Sequence, residues 1–158
     1  MDRDNSDFTS VAKSMELYHQ ATRLIPGATQ LISRRPTRYA YGFSPAYAVA
    51  GKGSRFTDVD GNVFIDWVSG IGATILGYCD PIVDDAVKRQ IDSGTMYSVS
   101  HPIELELAEL LINRIPCAEM VRFAKGGGDA CAVAIRIARG TTGKDTILFS
   151  GYHGWHDW

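Results

Sequence analysis

Cysteine is scarce in this 158-residue sequence: Cys79, Cys117 and Cys131 stand far apart with no C-x-x-C pair. That excludes a disulfide framework and a zinc knuckle, and leaves small buried apolar side chains as their reading. No uncharged apolar run approaches the roughly 18 residues a membrane helix needs. Met1 to Ser10 is acidic and polar rather than a basic segment leading into an apolar one, so a cytoplasmic protein is expected. Charge of one sign is also lacking: 16 Lys+Arg against 18 Asp+Glu leave a formal −2, too little to hold the chain on nucleic acid or an anionic membrane. Repeats and low-complexity tracts are missing. What is present, 45% apolar and 22% charged residues, is ordinary globular composition at the length of one common domain.

Thr9 to Leu24 carries Val11, Met15, Tyr18 and Leu24 roughly along one stripe, which predicts a surface helix stopping before Pro26-Gly27. A turn-rich, arginine-rich loop runs from Gly27 to Pro45. Short extended pieces then fill Tyr47 to Trp67, and Asp60-Gly61 between runs rich in Val, Phe and Ile predicts a small antiparallel meander. Ser69 to Gly77 is a glycine-spaced loop. Asp80 as N-cap and Pro81 at the first helical position predict a helix to about Ser93, with Gly94 as its stop. Pro102 to about Ile115 predicts another, with Ile103, Leu107, Leu110 and Leu111 on one face and glutamates in its first turns, where the helix dipole favours them. His101 is expected to shape that helix start.

The rhythm then becomes strand, helix, strand. Met120 to Ala124 and Thr146 to Ser150 read as strands, and Ala130 to Arg139, closed by Gly140, as the helix between them. Such a βαβ unit implies a parallel pair with a right-handed crossover. Two parallel strands cannot cover both their faces, so the chain is expected to be the front portion of a larger α/β protein. Residues 1–94 are expected to form an N-terminal helix, loop and small meander, and residues 95–158 the beginning of a large α/β domain.

Between the first expected strand and the helix lies Lys125-Gly126-Gly127-Gly128-Asp129. Backbone N–H groups there and the open helix N-terminus can together hold an anion, phosphate above all; a tight turn needing glycine for close packing explains the same residues. Walker A fails because Asp129 follows Gly128. The dinucleotide fingerprint fails because Cys131 stands where its third glycine belongs. In a parallel sheet the carboxyl ends of the strands share one edge, so the triglycine turn and Tyr152-His153 are expected to face one crevice. A phosphate beside an aromatic ring suits a flat heteroaromatic phosphate ester.

Other candidates are weaker. His153-x-x-His156-Asp157 has no third metal partner in sequence. Arg23, Arg34, Arg35 and Arg38 lack interleaved base-stacking aromatics, which argues against nucleic acid.

Pro26-Gly27, Asp58-Val59-Asp60-Gly61-Asn62 with Ile65-Asp66, Leu76-Gly77, Glu104 to Leu110, Met120 to Phe123, Ala134 to Arg139 and Tyr152-His153-Gly154 together resemble class III pyridoxal-phosphate-dependent aminotransferases. Within that class the sequence is most similar to the glutamate-1-semialdehyde aminomutase branch, from about Glu16 onward. The resemblance implies the N-terminal part of a fold-type-I α/β transferase, pyridoxal 5'-phosphate as cofactor, a small-molecule amino donor and acceptor, and a homodimer. It also implies site residues. Gly127 and Gly128 would donate N–H groups to the cofactor phosphate, Asp129 would stand in for the family's glutamate, Tyr152 would pack on the cofactor ring with His153 beside it, and Arg34 would orient the substrate carboxylate, a role its bidentate fork suits.

Gly128 departs from the family in replacing a hydroxyl residue, and Ile71 stands where the aminomutase has an aromatic active-site residue. Strict aminomutase activity and transamination of another small substrate both remain open. The Schiff-base lysine and the aspartate that pairs with the pyridine nitrogen are expected beyond this chain, since Lys125 and Lys144 match other motif positions, so the isolated chain is expected to be catalytically incomplete. A non-catalytic assembly module and a nucleotide-binding domain are the alternatives.

Overall fold

In a computed structural model, residues 9–156 are described. The chain divides into two compact units, Met1–Thr95 and Met96–Trp158.

Helix α1 (Ala12–Leu24) opens the first unit. Its own N-cap, Val11, has no side chain able to accept a hydrogen bond, and the task passes to a residue far along the chain. The Asp60 carboxylate receives the backbone N–H groups of Lys13 (2.8 Å) and Ser14 (2.9 Å). Ser14, fully buried, in turn accepts from the N–H groups of Ala46 and Tyr47 through its hydroxyl. This polar exchange fastens α1 to the meander, and it corrects the expected apolar stripe: Val11 and Ala21 are buried, whereas Leu24 is 81% exposed.

The expected meander forms. Strands β1 (Ala48–Lys52), β2 (Arg55–Asp58) and β3 (Val63–Ile65) pair antiparallel in sequence order, with a register irregularity between Ala48 and Ala50. Phe56 and Phe64 lie directly opposite each other and stack at 5.5 Å, a pairing that fixes register. At the β2–β3 turn the buried Asp58 carboxylate accepts from the N–H groups of Asp60 and Asn62 and from the Asn62 side-chain amide, while Gly61 takes the positive φ (+90°). Asp58 is thus satisfied by the turn it organises.

Helix α2 (Pro81–Ser93) starts as its sequence dictates, with Asp80 accepting from the N–H groups of Ile82 and Val83 and Gly94 ending it at φ +105°. In the second unit, α3 (Pro102–Arg114) is held by a reciprocal cap: the His101 ring accepts from Ile103 N–H, and Glu104 accepts from His101 N–H. Helix α4 (Gly127–Thr142) corrects both expected ends. It includes Gly127 and Gly128 in its first turn, and it runs through Gly140 to stop at Gly143, which takes the left-handed conformation (φ +67°, ψ +14°). Gly140 only weakens a helix, whereas Gly143 terminates one.

The expected strands Met120–Ala124 and Thr146–Ser150 do not form: neither pairs with the other or with any described segment. A ladder needs a hydrogen-bonded neighbour, and a parallel pair needs both faces covered. Here Met120 is 90% exposed and Leu148 94%. The faces of α2 and α3 are likewise uncovered, with Ile91, Ile103 and Leu110 all exposed. The chain exposes 13,297 Å²; two separate globules of the two units' sizes would together expose about 9,400 Å². Large apolar side chains are exposed in both units.

Candidate functional site

Gly126, in extended conformation, caps α4 from outside, and Asp129 reaches back so that its Oδ2 accepts the Gly126 N–H at 3.1 Å. Helical bonding begins only with Ala130 N–H to Gly126 C=O, so the N–H groups of the first turn have no acceptor inside the helix. The positive end of the helix dipole lies there too. Around Gly127 the direction a side chain would take is empty to 4 Å. Gly128 is different: a Cβ there would fall 2.8 Å from the His156 ring and 3.4 Å from the Trp155 nitrogen.

The segment over Gly128 is residues 154–156, in the loop that follows Ser150. At Gly154 (φ +109°) an added Cβ would lie 2.6 Å from the Gly128 Cα, so the two backbones meet glycine on glycine. His156 Nε2 lies 2.9 Å from Asp129 Oδ1. The triglycine turn and the loop after Ser150 therefore do come together, through Gly154, Trp155 and His156. Tyr152 is 80% exposed, and His153 turns back to the Ser150 carbonyl with its ring edge-on to Phe149. His156 is the residue sequence reasoning missed as part of this site. Its only signal was an acid in the first turn of a helix followed, 27 positions later, by a histidine two residues after a glycine.

Arg34 belongs to the first unit. It ends a 3-10 turn, Ile32–Arg34, and its side chain is exposed. Its neighbour Arg35 is occupied otherwise: the guanidinium lies where a Cβ on Gly27 would be, 2.5 Å from Nη2, and the Arg35 Nε is buried without a partner among the described residues. Of the two, Arg34 is exposed and Arg35 half-buried.

Near Arg34 in charge is a small frame built on Asp66. Its Oδ1 accepts the N–H groups of Val68 (2.9 Å) and Ser69 (3.0 Å), and its Oδ2 accepts the Tyr78 hydroxyl at 2.6 Å. The Tyr78 bond, above all, holds the Asp66 carboxyl below its usual range; the same bond pushes the Tyr78 phenol up, against a smaller opposing pull from Arg34. The frame supports a left-handed run in which Ser69 (φ +48°), Gly70, Ile71 (φ +60°, ψ +43°) and Gly72 all have positive φ. For a β-branched residue that is strained, at a cost of about 1–3 kcal/mol, and such strain gathers at functional positions. Ile71 is 67% exposed there.

A separate open groove of about 740 Å³ in the second unit is lined by Ser100, His101, Glu104, Leu105, Arg122 and Phe123 among others, and by none of the site residues expected from sequence.

Comparison with known proteins is consistent along the chain. The family model for class-III aminotransferases matches residues 39–157. A 3-aminobutyryl-CoA aminotransferase from Cloacimonas acidaminovorans is 44% identical over 149 residues, 94% of this chain and 36% of its own. A glutamate-1-semialdehyde 2,1-aminomutase from Methanothermobacter thermautotrophicus is 43% identical over 148 residues, 92% of this chain and 34% of its own. Among solved structures, a transaminase with PLP bound superposes with a TM-score of 0.84 at 32% identity, over 94% of this chain and 34% of that one. The chain thus spans about a third of the length of the curated relatives it matches.

Proposed function

The chain belongs to the class-III aminotransferase family, and from that premise we propose that it supplies the phosphate-binding end of a pyridoxal-phosphate enzyme that moves an amino group, as a transaminase or an aminomutase. The observation that carries this reading is the first turn of α4, where N–H groups without an acceptor inside the helix, the helix dipole and an open approach at Gly127 together favour an anion such as a phosphate ester. Gly127 and Gly128 donate backbone N–H groups to that phosphate. Tyr152 covers one face of the cofactor ring with His153 beside it, and Arg34 grips a substrate carboxylate through two parallel N–H···O bonds.

When bound, the cofactor would supply an electron sink beside the substrate. The residues of this chain bind and orient. The lysine that holds the cofactor comes from outside these 158 residues in this reading, as does the choice between donor and acceptor substrates. A homodimer and a cytoplasmic location belong to the same proposal; among the described residues no helix is long and apolar enough to cross a membrane.

The test compares this chain with a chimera that joins it to the remaining two thirds of the Cloacimonas relative. In the chimera, pyridoxal phosphate is expected to give a visible absorption band that bleaches with an amino donor, and the isolated chain is expected to give none. A chimera that folds yet leaves the spectrum of added cofactor unchanged refutes the proposal.

A further inference from the structure

We infer that Asp129 and His156 form a clamp that seats the loop after Ser150 on the phosphate turn, which makes His156 a positioning residue of the cofactor site. The assignment to cofactor rests on the reading above; the clamp itself rests on geometry alone. Asp129 uses its two oxygens in two directions: Oδ2 closes the Gly126 turn at 3.1 Å, and Oδ1 holds His156 Nε2 at 2.9 Å. One carboxylate therefore joins the start of α4 to a loop 27 residues away in sequence. The backbones beneath that bond are in contact, since neither Gly128 nor Gly154 has room for a Cβ against the other segment. At Gly154 the obstacle is main chain and the φ is +109°, so no rotamer change relieves it.

The chemistry explains why such a clamp would matter. A carboxylate in the first turn of α4 favours the helix dipole but repels a phosphate dianion at the same N–H groups. With both oxygens engaged, Asp129 is held in one orientation and part of its charge is spent on the imidazole donor. The same bond fixes where the loop bearing Tyr152 and His153 leaves the turn. Ring-covering residues and phosphate-binding residues then keep one spacing, matched to a cofactor whose ring and phosphate are themselves a fixed distance apart.

The experiment uses the chimera and measures dissociation constants for pyridoxal 5'-phosphate and for pyridoxal, which lacks the phosphate. His156→Ala is expected to weaken the phosphorylated cofactor about tenfold, the loss of one charge-assisted hydrogen bond, and to leave pyridoxal within a factor of two. Asp129→Ala combined with His156→Ala should be no weaker than Asp129→Ala alone, and His156→Gln, which retains a side-chain N–H donor, should recover part of the loss. Equal weakening of both ligands, or additive losses in the double variant, overturns the assignment of His156 to the phosphate site. The clamp is read separately, without ligand, by amide hydrogen exchange. His156→Ala and Gly154→Ala should each speed exchange at both 126–128 and 154–156, and exchange unchanged at either segment refutes the clamp. If the parent chimera binds neither ligand, the cofactor reading fails while the exchange result still decides the clamp.

Discussion

Removing the Tyr78 hydroxyl tests whether the Asp66 frame is what holds the strained Ser69–Gly72 turn. In Tyr78→Phe the ring remains and continues to cover Gly51, where a Cβ would fall 2.6 Å from the Tyr78 Cγ, so packing is preserved and only the 2.6 Å bond to Asp66 is lost. A hydrogen bond to a charged group contributes about 1.5–3 kcal/mol when buried; at a partly exposed site solvent competes, and about 1 kcal/mol is the working figure. The reporters are local. Gly53 and Tyr78 exchange backbone hydrogen bonds (2.9 and 2.8 Å), and the Val68 and Ser69 amides bond to Asp66 itself. Near pH 7 these four amides should exchange about fivefold faster in the variant, the factor equal to about 1 kcal/mol of local opening.

The sign with pH follows from the direction of the Asp66 shift. Its folded-state carboxyl is held below the ordinary carboxylate value, so the frame's charge-dependent contribution is present above the unfolded pKa and fades as pH falls through the folded one. The gap between parent and variant should therefore shrink below about pH 4, the ordinary carboxylate range. Equal exchange in the two proteins at neutral pH, or a gap that widens in acid, would refute the reasoning.

Three further outcomes are expected. Gly140→Ala should stabilise α4 by up to about 1 kcal/mol, because its Cβ meets nothing within 4 Å, while Gly143→Ala should cost about 1 kcal/mol by forcing alanine to φ +67°; helical circular dichroism on heating separates them. Asp60→Ala removes the distant cap of α1 and should cost about 1 kcal/mol, with faster exchange at Lys13 and Ser14. In the chimera, Arg34→Ala should raise KM for a carboxylate substrate with little loss of thermal stability, whereas Arg35→Ala should lower the melting temperature through lost packing on Gly27; the reverse pattern would exchange their roles.

Local chemistry was legible in the sequence wherever one residue type settles one geometry. Asp80-Pro81 starts a helix as expected, His101 caps the next, and Asp60-Gly61 turns the hairpin. Illegible were features that depend on distant partners. Ser14 is buried because Asp60 and Ala46 come to it, which no helical stripe reports. Gly140 and Gly143 look equally like helix stops, and only the backbone conformation of the second distinguishes them. Met120–Ala124 and Thr146–Ser150 have strand composition, yet a strand exists only when a neighbour accepts its hydrogen bonds. At the candidate site the triglycine turn is evident from spelling, while the pairing of Asp129 with His156 depends on the contact of Gly128 with Gly154, which no local pattern reports.

The central claim is that the first turn of α4 binds a phosphate ester, and amide mapping tests it most directly. With backbone nitrogen labels in the chimera, pyridoxal 5'-phosphate should shift the Gly127 and Gly128 amide resonances strongly, and pyridoxal should leave those two nearly in place. Shifts confined to other segments, such as the groove at Ser100 to Phe123, with Gly127 and Gly128 unmoved by the phosphorylated cofactor, would contradict the account.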